Sequence, residues 1–446
     1  MHMILLSGGS GKRLWPLSNE VRSKQFLKVL KNDQGELESM VQRVHRQIGE
    51  AAMAKSITIA AGASQLEQLR NQMGESVNIL IEPERRDTFP AIALACSYLF
   101  SIKGVGREET VVIMPVDSFV EAPYFKLIAG IEEVQNQTGA DLVLLGALPL
   151  FPSEKYGYIV PKDRGAAVSR VDCFKEKPNT RDAEALIKKG ALWNCGVFGI
   201  KLGYILDSLK QNYGFVDPDY ERIRAAFSQL NKTSFDFEIV EKIENIQVMR
   251  YENKWKDLGT WETLTEEMEG RVFGNALVDD QCVDTHVINE LQIPIVAMGI
   301  RNCVIAASSD GIIVAEKGET YKLKDFMSSI NGRPMYEERR WGSYMVLDHT
   351  VYETNRESLT KKLLIKAEGK ISYQYHNNRV ESWTILSGQG VLYLNGEKKA
   401  VSQGDVIQIN AGIKHGIKAI TTLEIIEVQL GFPLVEEDIV RLDLDW

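Results

Sequence analysis

Apolar residues follow two regimes along the chain. Up to about residue 150, short apolar runs alternate with longer stretches whose apolar positions recur every three or four residues. The runs Met3–Leu6, Ser56–Ala60, Asn78–Ile81, Thr110–Met114 and Asp141–Gly146 read as buried strands. Met40–Ile48, Ala91–Phe100 and Phe125–Gln137 read as helices between them. Such alternation predicts an α/β domain with a mainly parallel sheet. Ligands of these sheets bind beyond the carboxyl ends of the strands. Residues 151–262 are richer in turns, aromatics and short charged strings, and read as the substrate-facing half of the same domain.

The second regime begins near Phe273. Up to Val314 short apolar runs are punctuated by Gly, Asn and Asp, as in Gly274-Asn275-Ala276-Leu277-Val278, which predicts a short β-helical linker. A polar helix over Lys322–Ile330 is the expected connector. After Arg333-Pro334 come the strand-like runs Lys361–Lys366, Glu381–Leu386, Gly390–Leu394, Asp405–Ile409 and Leu423–Leu430. Asn395-Gly396 between two of these segments is a strong hairpin signal. Short, evenly spaced strands predict a small barrel or jelly roll. The expected divisions are therefore 1–262, 263–335 and 336–446.

Composition, 44% hydrophobic and 25% charged, is that of an ordinary globular protein. A net charge of -9 with no compensating basic run argues against a nucleic-acid binder. The five cysteines are scattered without a Cys-x-x-Cys pair, so neither a zinc knot nor a disulfide framework is expected. No apolar run approaches the roughly 20 residues of a membrane span. The N-terminus enters a strand directly, with no basic, cleavable leader. No membrane association is expected, and a reducing cytoplasm is the expected setting.

The chemistry concentrates after the first strand. Leu6 is followed by Ser7-Gly8-Gly9-Ser10-Gly11-Lys12-Arg13-Leu14, then Trp15-Pro16-Leu17 and Lys24-Gln25-Phe26-Leu27. A strand opening into a glycine-rich turn offers backbone N–H groups to a phosphate, and Arg13 and Lys24 add positive charge beside it. The spacing is neither the P-loop nor the dinucleotide fingerprint. Met114-Pro115-Val116-Asp117 and Trp255-Lys256-Asp257-Leu258-Gly259 each place a carboxylate that suits Mg²⁺ together with phosphate oxygens. Taken singly, each Asp reads as a helix or turn cap.

The glycine-rich string resembles the signature of the sugar-1-phosphate nucleotidyltransferases, and within them most resembles those that act as mannose-1-phosphate guanylyltransferases. The resemblance implies a Rossmann-like, GT-A-like nucleotidyltransferase domain. It implies nucleotide contacts from Leu6, Gly8, Gly9, Ser10, Gly11, Lys12, Glu82, Arg85, Asp87 and Thr88, with Glu82 near the base. It further implies catalytic roles for Arg13, Lys24, Asp117 and Asp257, the two aspartates holding Mg²⁺. Ser153-Glu154-Lys155-Tyr156-Gly157 resembles the sugar-contacting turn. Phe174-Lys175-Glu176-Lys177-Pro178 and Leu192-Trp193-Asn194-Cys195-Gly196 imply sugar-phosphate contacts from Tyr156, Gly157, Glu176, Lys177 and Asn194. The sequence departs from the family at Lys12 (usually Thr), Ser23 (usually Pro) and Ser118 (usually His). These departures bear on the choice of nucleotide and sugar more than on the reaction type.

In the C-terminal segment, Gln374 and His376 alternate onto one strand face, Glu381 follows, and His415 lies in Gly412-Ile413-Lys414-His415. This spacing resembles the two cupin motifs. Two imidazoles, a carboxylate and an amide oxygen suit zinc or another divalent ion. The segment is similar to the isomerase half of bifunctional phosphomannose isomerase/guanylyltransferases, except that Asn378 and Ser382 stand where His is usual. A barrel kept only for folding or dimerisation remains open beside an active isomerase.

The resemblance implies an enzyme that converts GTP and a sugar 1-phosphate, foremost mannose 1-phosphate, into GDP-sugar and pyrophosphate. Three alternatives remain at this point. One is a bifunctional form that also interconverts mannose 6-phosphate and fructose 6-phosphate. Another is the same transfer with a different sugar or base. The third is a regulatory module that binds nucleotide sugar without turnover. Exposed β-helical and barrel surfaces make a homodimer one expected arrangement.

Overall fold

The computed structural model describes residues 1–9, 11–330 and 332–443. Ser10, which the loop motif implicates in nucleotide binding, lies outside them. The chain divides into two compact units. The first comprises 1–10, 23–66 and 75–269, and the second 11–22, 67–74 and 270–446. No helix among the described residues is long and apolar enough to cross a membrane.

The first unit is built on a nine-stranded sheet. Its strands are β1 (His2–Leu6), β2 (Ser56–Gly62), β3 (Asn78–Glu82), β4 (Thr110–Pro115), β5 (Leu142–Ala147), β6 (Tyr158–Pro161), β7 (Val168–Lys175), β8 (Leu192–Lys201) and β9 (Ile246–Tyr251). Their order is β3-β2-β1-β4-β8-β5-β9-β7-β6. The expected mainly parallel sheet is corrected to a mixed one. The β3-β2-β1-β4 half is parallel, as is β5 with β9, but β8 runs antiparallel to β4, β5 and β6, and β7 antiparallel to β9 and β6. The apolar runs report burial on both faces, which central strands of either direction share.

The helix Thr88–Ser101 is apolar on every side because it is enclosed by this core, with Phe89, Ile92, Leu94 and Leu99 fully buried. The single helix expected over Phe125–Gln137 is two, Ala122–Ala129 and Ile131–Thr138, meeting at Gly130. All five cysteines are unpaired.

In the second unit, Val272–Gly274, Val283–Asn289 and Arg301–Ser308 stack in parallel, and Ala276–Val278 pairs in parallel with Ile295–Ala297. Cys282, Val287, Ala297, Cys303 and Ile305 fill the space between them. This is the expected β-helical segment, closed by the antiparallel strand Gly311–Glu316. The expected helix over Lys322–Ile330 is shortened to the single α-helical turn Leu323–Phe326, preceded by the 3-10 stretch Lys317–Lys322.

Gly274 turns one rung at φ +78, and an added Cβ would meet Asn289 O of the next rung at 1.9 Å. Both the left-handed backbone and the close approach need glycine. Gly274→Ala is therefore expected to destabilise the second unit by about 2 kcal/mol or more. A denaturant titration checks this, and an unchanged midpoint contradicts it.

The rest of the second unit holds a six-stranded and a five-stranded antiparallel sheet. Their shared core includes Trp383, Ile365, Ile417 and Ile425. Asn395 (φ +48) and Gly396 (φ +87) form the two-residue turn between Gln389–Leu394 and Glu397–Ser402, as the sequence predicts.

Candidate active site

The glycine-rich loop leaves β1, one of the two inner strands of the parallel half. Gln25 Nε2 donates to Ser7 O at 2.6 Å, Gln65 Nε2 to Ser23 Oγ at 3.0 Å, and Ser23 Oγ to Gly9 O at 3.3 Å. These bonds frame the turn while Gly8 and Gly9 remain exposed, with open space beside both. Gly9 has φ +128, a backbone region that side chains disfavour.

Gly11, Lys12 and Arg13 belong to the second unit, where residues 11–22 are held by the β-helical segment. Arg22 makes a two-pronged pair with Glu290 at 2.8 and 2.9 Å, Asn19 Nδ2 donates to Asp310 at 2.7 Å, and Ser308 Oγ donates to Pro16 O at 2.7 Å. Lys12 pairs with Glu20 at 2.5 Å, and Arg13 is exposed.

Asp117 and Asp257 lie far apart in sequence and meet through a two-stranded ribbon. Ser118–Val120 pairs antiparallel with Trp255–Asp257, with Asp257 opposite Ser118. Lys24 bridges the two carboxylates, its Nζ 2.8 Å from Asp117 Oδ2 and 3.0 Å from Asp257 Oδ1. Burial alone would lower the Lys24 ammonium, but the two aspartates outweigh it and raise it above its ordinary range. Two carboxylates sharing one cation form a hard-oxygen donor set of the kind Mg²⁺ requires.

Glu82 ends β3 and is buried, which pushes its carboxyl up to about 7 against the opposing charge of Arg85. Arg85 is exposed. Asp87 caps the helix Thr88–Ser101, its side chain accepting from Thr88 N at 2.8 Å. The Thr88 hydroxyl accepts from Phe235 N at 2.8 Å, so it anchors a neighbouring segment.

The sugar-motif residues converge on Gly157. Asn194 N donates to Gly157 O at 2.8 Å. A Cβ on Gly157 would lie 2.5 Å from Glu176 Oε2 and 3.3 Å from Asn194 Cβ, so a larger residue there would displace the Glu176 carboxylate. Lys177 pairs with Glu176 at 2.7 Å. Tyr156 packs its ring 4.9 Å from Trp193 and 5.3 Å from Trp255. Burial, with the nearby Asp257 charge, pushes the Tyr156 phenol up to about 12.

One acid here escaped sequence reading. Asp236 accepts from Asn194 Nδ2 at 2.8 Å, and burial, reinforced by Glu176, pushes it up to about 7. Its only local signal is a short Ser234-capped turn flanked by phenylalanines.

A second cluster lies inside the barrel of the second unit. Strand Lys370–His376 carries Gln374 and His376, strand Arg379–Ser387 carries Glu381, and His415 opens strand His415–Ala419. Gln374 sits opposite His415, and Glu381 opposite both Gln429 and Ile409. One ligand atom from each of His376, Glu381 and His415 lies within 4.8 Å of the others. Glu381 is 3.2 Å from His376 Nε2 and 3.5 Å from His415 Nε2. Gln374 receives Ser372 Oγ at 2.7 Å on its Oε1 and brings its Nε2 to 3.5 Å from His376.

His415 Nδ1 lies 2.9 Å from Ile413 O, which leaves Nε2 facing Glu381, buried and without a hydrogen-bond partner. An orphaned imidazole nitrogen beside a carboxylate and a second imidazole fits a divalent metal site. Burial opposes ionisation of Glu381, but the proximity of His376 and His415 holds it below the ordinary carboxylate range. Sequence reading gave Glu427 no role of its own. Burial, with Glu381 close by, pushes it up to about 7, and both carboxylates accept from Trp383 Nε1, at 3.1 and 3.2 Å. A cavity of about 530 Å³ opens onto this cluster, lined by Arg339, Lys361, Lys370, Arg379 and Arg441 together with Glu67, Glu381, Glu427 and Glu436 among others.

Residues 2–271 match the family model described as nucleotidyl transferase, and residues 333–444 match the one described as mannose-6-phosphate isomerase C-terminal. Xanthan biosynthesis protein XanB of Xanthomonas campestris pv. campestris is 29% identical over 475 residues, covering 99% of this chain and 97% of its own. Mannose-1-phosphate guanylyltransferase ManC of Salmonella typhimurium is 28% identical over 480 residues, covering 99% of this chain and 97% of its own. A crystal structure from Thermus thermophilus, described as a mannose-1-phosphate geranyltransferase, superposes with a TM-score of 0.63 at 25% identity, over 74% of this chain and 99% of that one.

Proposed function

Because the chain belongs to the nucleotidyl transferase family, we propose that it transfers GMP from GTP to mannose 1-phosphate, releasing pyrophosphate and forming GDP-mannose. The carrying observation is Lys24 held between Asp117 and Asp257. A phosphate oxygen of the sugar 1-phosphate attacks the α-phosphorus of GTP. The bond from that phosphorus to the oxygen bridging it to the β-phosphate breaks, and pyrophosphate leaves. The attacking oxygen is already ionised near neutral pH, so no general base is required.

The chain's task is positioning and charge. Gly8 and Gly9 offer backbone N–H groups to the triphosphate, and Lys24 balances its charge. Glu82 meets the base. Glu176 and Asn194 meet the sugar hydroxyls, and Lys177 its phosphate. Asp117 and Asp257 would hold Mg²⁺, which supplies further charge neutralisation on the phosphates.

The test is pyrophosphate release from GTP in Mg²⁺, with a panel of sugar 1-phosphates and other nucleoside triphosphates as controls. Release that depends on both GTP and mannose 1-phosphate is the expected result. Turnover confined to another pair removes the mannose assignment, and no release with any pair removes the reaction.

The orphaned Nε2 of His415 favours a second activity. In this reading the barrel interconverts mannose 6-phosphate and fructose 6-phosphate. His376, Glu381 and His415 would hold a divalent ion that polarises the sugar carbonyl, and the Arg and Lys side chains among the mixed cavity lining would receive the phosphate. Isomerase turnover lost on chelation and restored by metal supports it. No turnover with any divalent metal removes it.

A further inference from the structure

Asp236 is a half-buried acid against Asn194 that no sequence motif explains. It sits in the first turn of Phe235–Glu238, which Ser234 caps by accepting from Phe237 N at 3.3 Å. Two bonds fix this turn to the start of the helix Thr88–Ser101. Phe235 N donates to Thr88 Oγ1 at 2.8 Å, and Phe89 N donates to Thr233 O at 3.2 Å. The carboxylate is thereby held against Asn194.

The Asn194 amide is committed at both ends. Its Oδ1 accepts from Gly196 N at 3.0 Å, and its Nδ2 donates to Asp236 Oδ1 at 2.8 Å. A flip would lose both bonds, so the remaining Nδ2 hydrogen points in one direction only. Glu176, its side chain 6% exposed, borders the same space above Gly157 as Asn194 does. The site thus presents an oriented amide donor in the neighbourhood of two carboxyl groups.

We propose that Asp236 is a positioning residue that sets sugar specificity: by locking the Asn194 amide it fixes which ring hydroxyls of the sugar 1-phosphate the pocket accepts. This rests on the nucleotidyl-transfer reading above. The charged groups bearing on Asp236 and its neighbours are Glu176, Lys177 and, through Lys177, Asp87. Burial, then Glu176, raises Asp236 to about 7, so it ionises within the working pH range. The ionised carboxylate accepts more strongly from the Asn194 amide. Sugar recognition therefore improves as pH rises through neutrality. The sugar phosphate itself titrates near 6, and that step is common to every variant.

The test compares wild type, Asp236→Asn and Asp236→Ala in full-length protein, reading kcat and both KM values by pyrophosphate release between about pH 6 and 8.5. Loss of a charge-assisted bond predicts a mannose 1-phosphate KM raised roughly tenfold in Asp236→Asn. The GTP KM should stay within about twofold, because no base or triphosphate contact is touched. The preference for mannose 1-phosphate over glucose 1-phosphate should narrow, and the step in sugar kcat/KM near pH 7 should vanish.

If both variants keep the sugar KM, the sugar preference and the pH step, the inference falls while the transfer reading stands. Equal losses toward GTP and sugar with a lowered melting temperature mark a purely structural residue and also overturn it. A wild type that releases no pyrophosphate with any sugar 1-phosphate overturns both.

Discussion

Asp257→Asn is expected to lower pyrophosphate release at saturating GTP and Mg²⁺ by roughly 10²–10³-fold, the scale on which removal of one preorganised charge-stabilising group acts. The substitution keeps the size of the side chain and removes one negative charge. Lys24 is then paired with Asp117 alone, and the pair of hard oxygen donors is broken. GTP binding should survive, since Glu82 and the loop glycines are untouched. The Mg²⁺ concentration for half-maximal rate should rise, which separates loss of the ion from loss of the fold. Asp117→Asn should behave alike, and the double variant should cost far less than the product of the two, because the carboxylates act as a unit. A drop below tenfold, with an unchanged Mg²⁺ dependence, would remove Asp257 from the reaction.

The other large effect is expected in the barrel. Glu381 pairs with His376, His415 and Arg379, and accepts from Trp383 and Gln429, all while buried. Glu381→Gln leaves a buried guanidinium without its carboxylate, a loss of about 3 kcal/mol or more. It should also abolish stoichiometric binding of a divalent ion by the second unit. Metal content by elemental analysis and a denaturant titration followed by tryptophan fluorescence read the two effects. Unchanged values of both would contradict the assignment.

The pH dependence has a definite sign. The folded carboxyl lies below its ordinary 4.5, so its stabilisation is complete above that value and is lost as pH falls below it.

Much of the candidate site is legible because the features that mark it are local. The strand-to-glycine turn after Leu6, the Asp117 that follows a buried strand, the alternation of Gln374 and His376, and the Asn395-Gly396 hairpin each depend on residues within a few positions of one another. The residues that escaped are those whose character is conferred by distant partners. Asp236 and Glu427 look like ordinary acids until Asn194 and Glu381 are brought against them. Thr88 likewise shows its anchoring role only beside Phe235.

By itself the sequence determined which segments are buried, where turns must occur and which polar groups leave the ends of buried strands. Periodicity and turn chemistry act along the chain, and folding preserves them. Only the tertiary structure decided strand direction and partnership. Apolar runs such as β8 are equally buried whichever way they point, so parallel and antiparallel neighbours look alike in sequence. The same holds for the ribbon that joins Asp117 to Asp257 through Lys24 and for the environment that moves Asp236 and Glu427 toward neutrality. Each depends on which distant groups share a small, desolvated volume, and that is a property of packing.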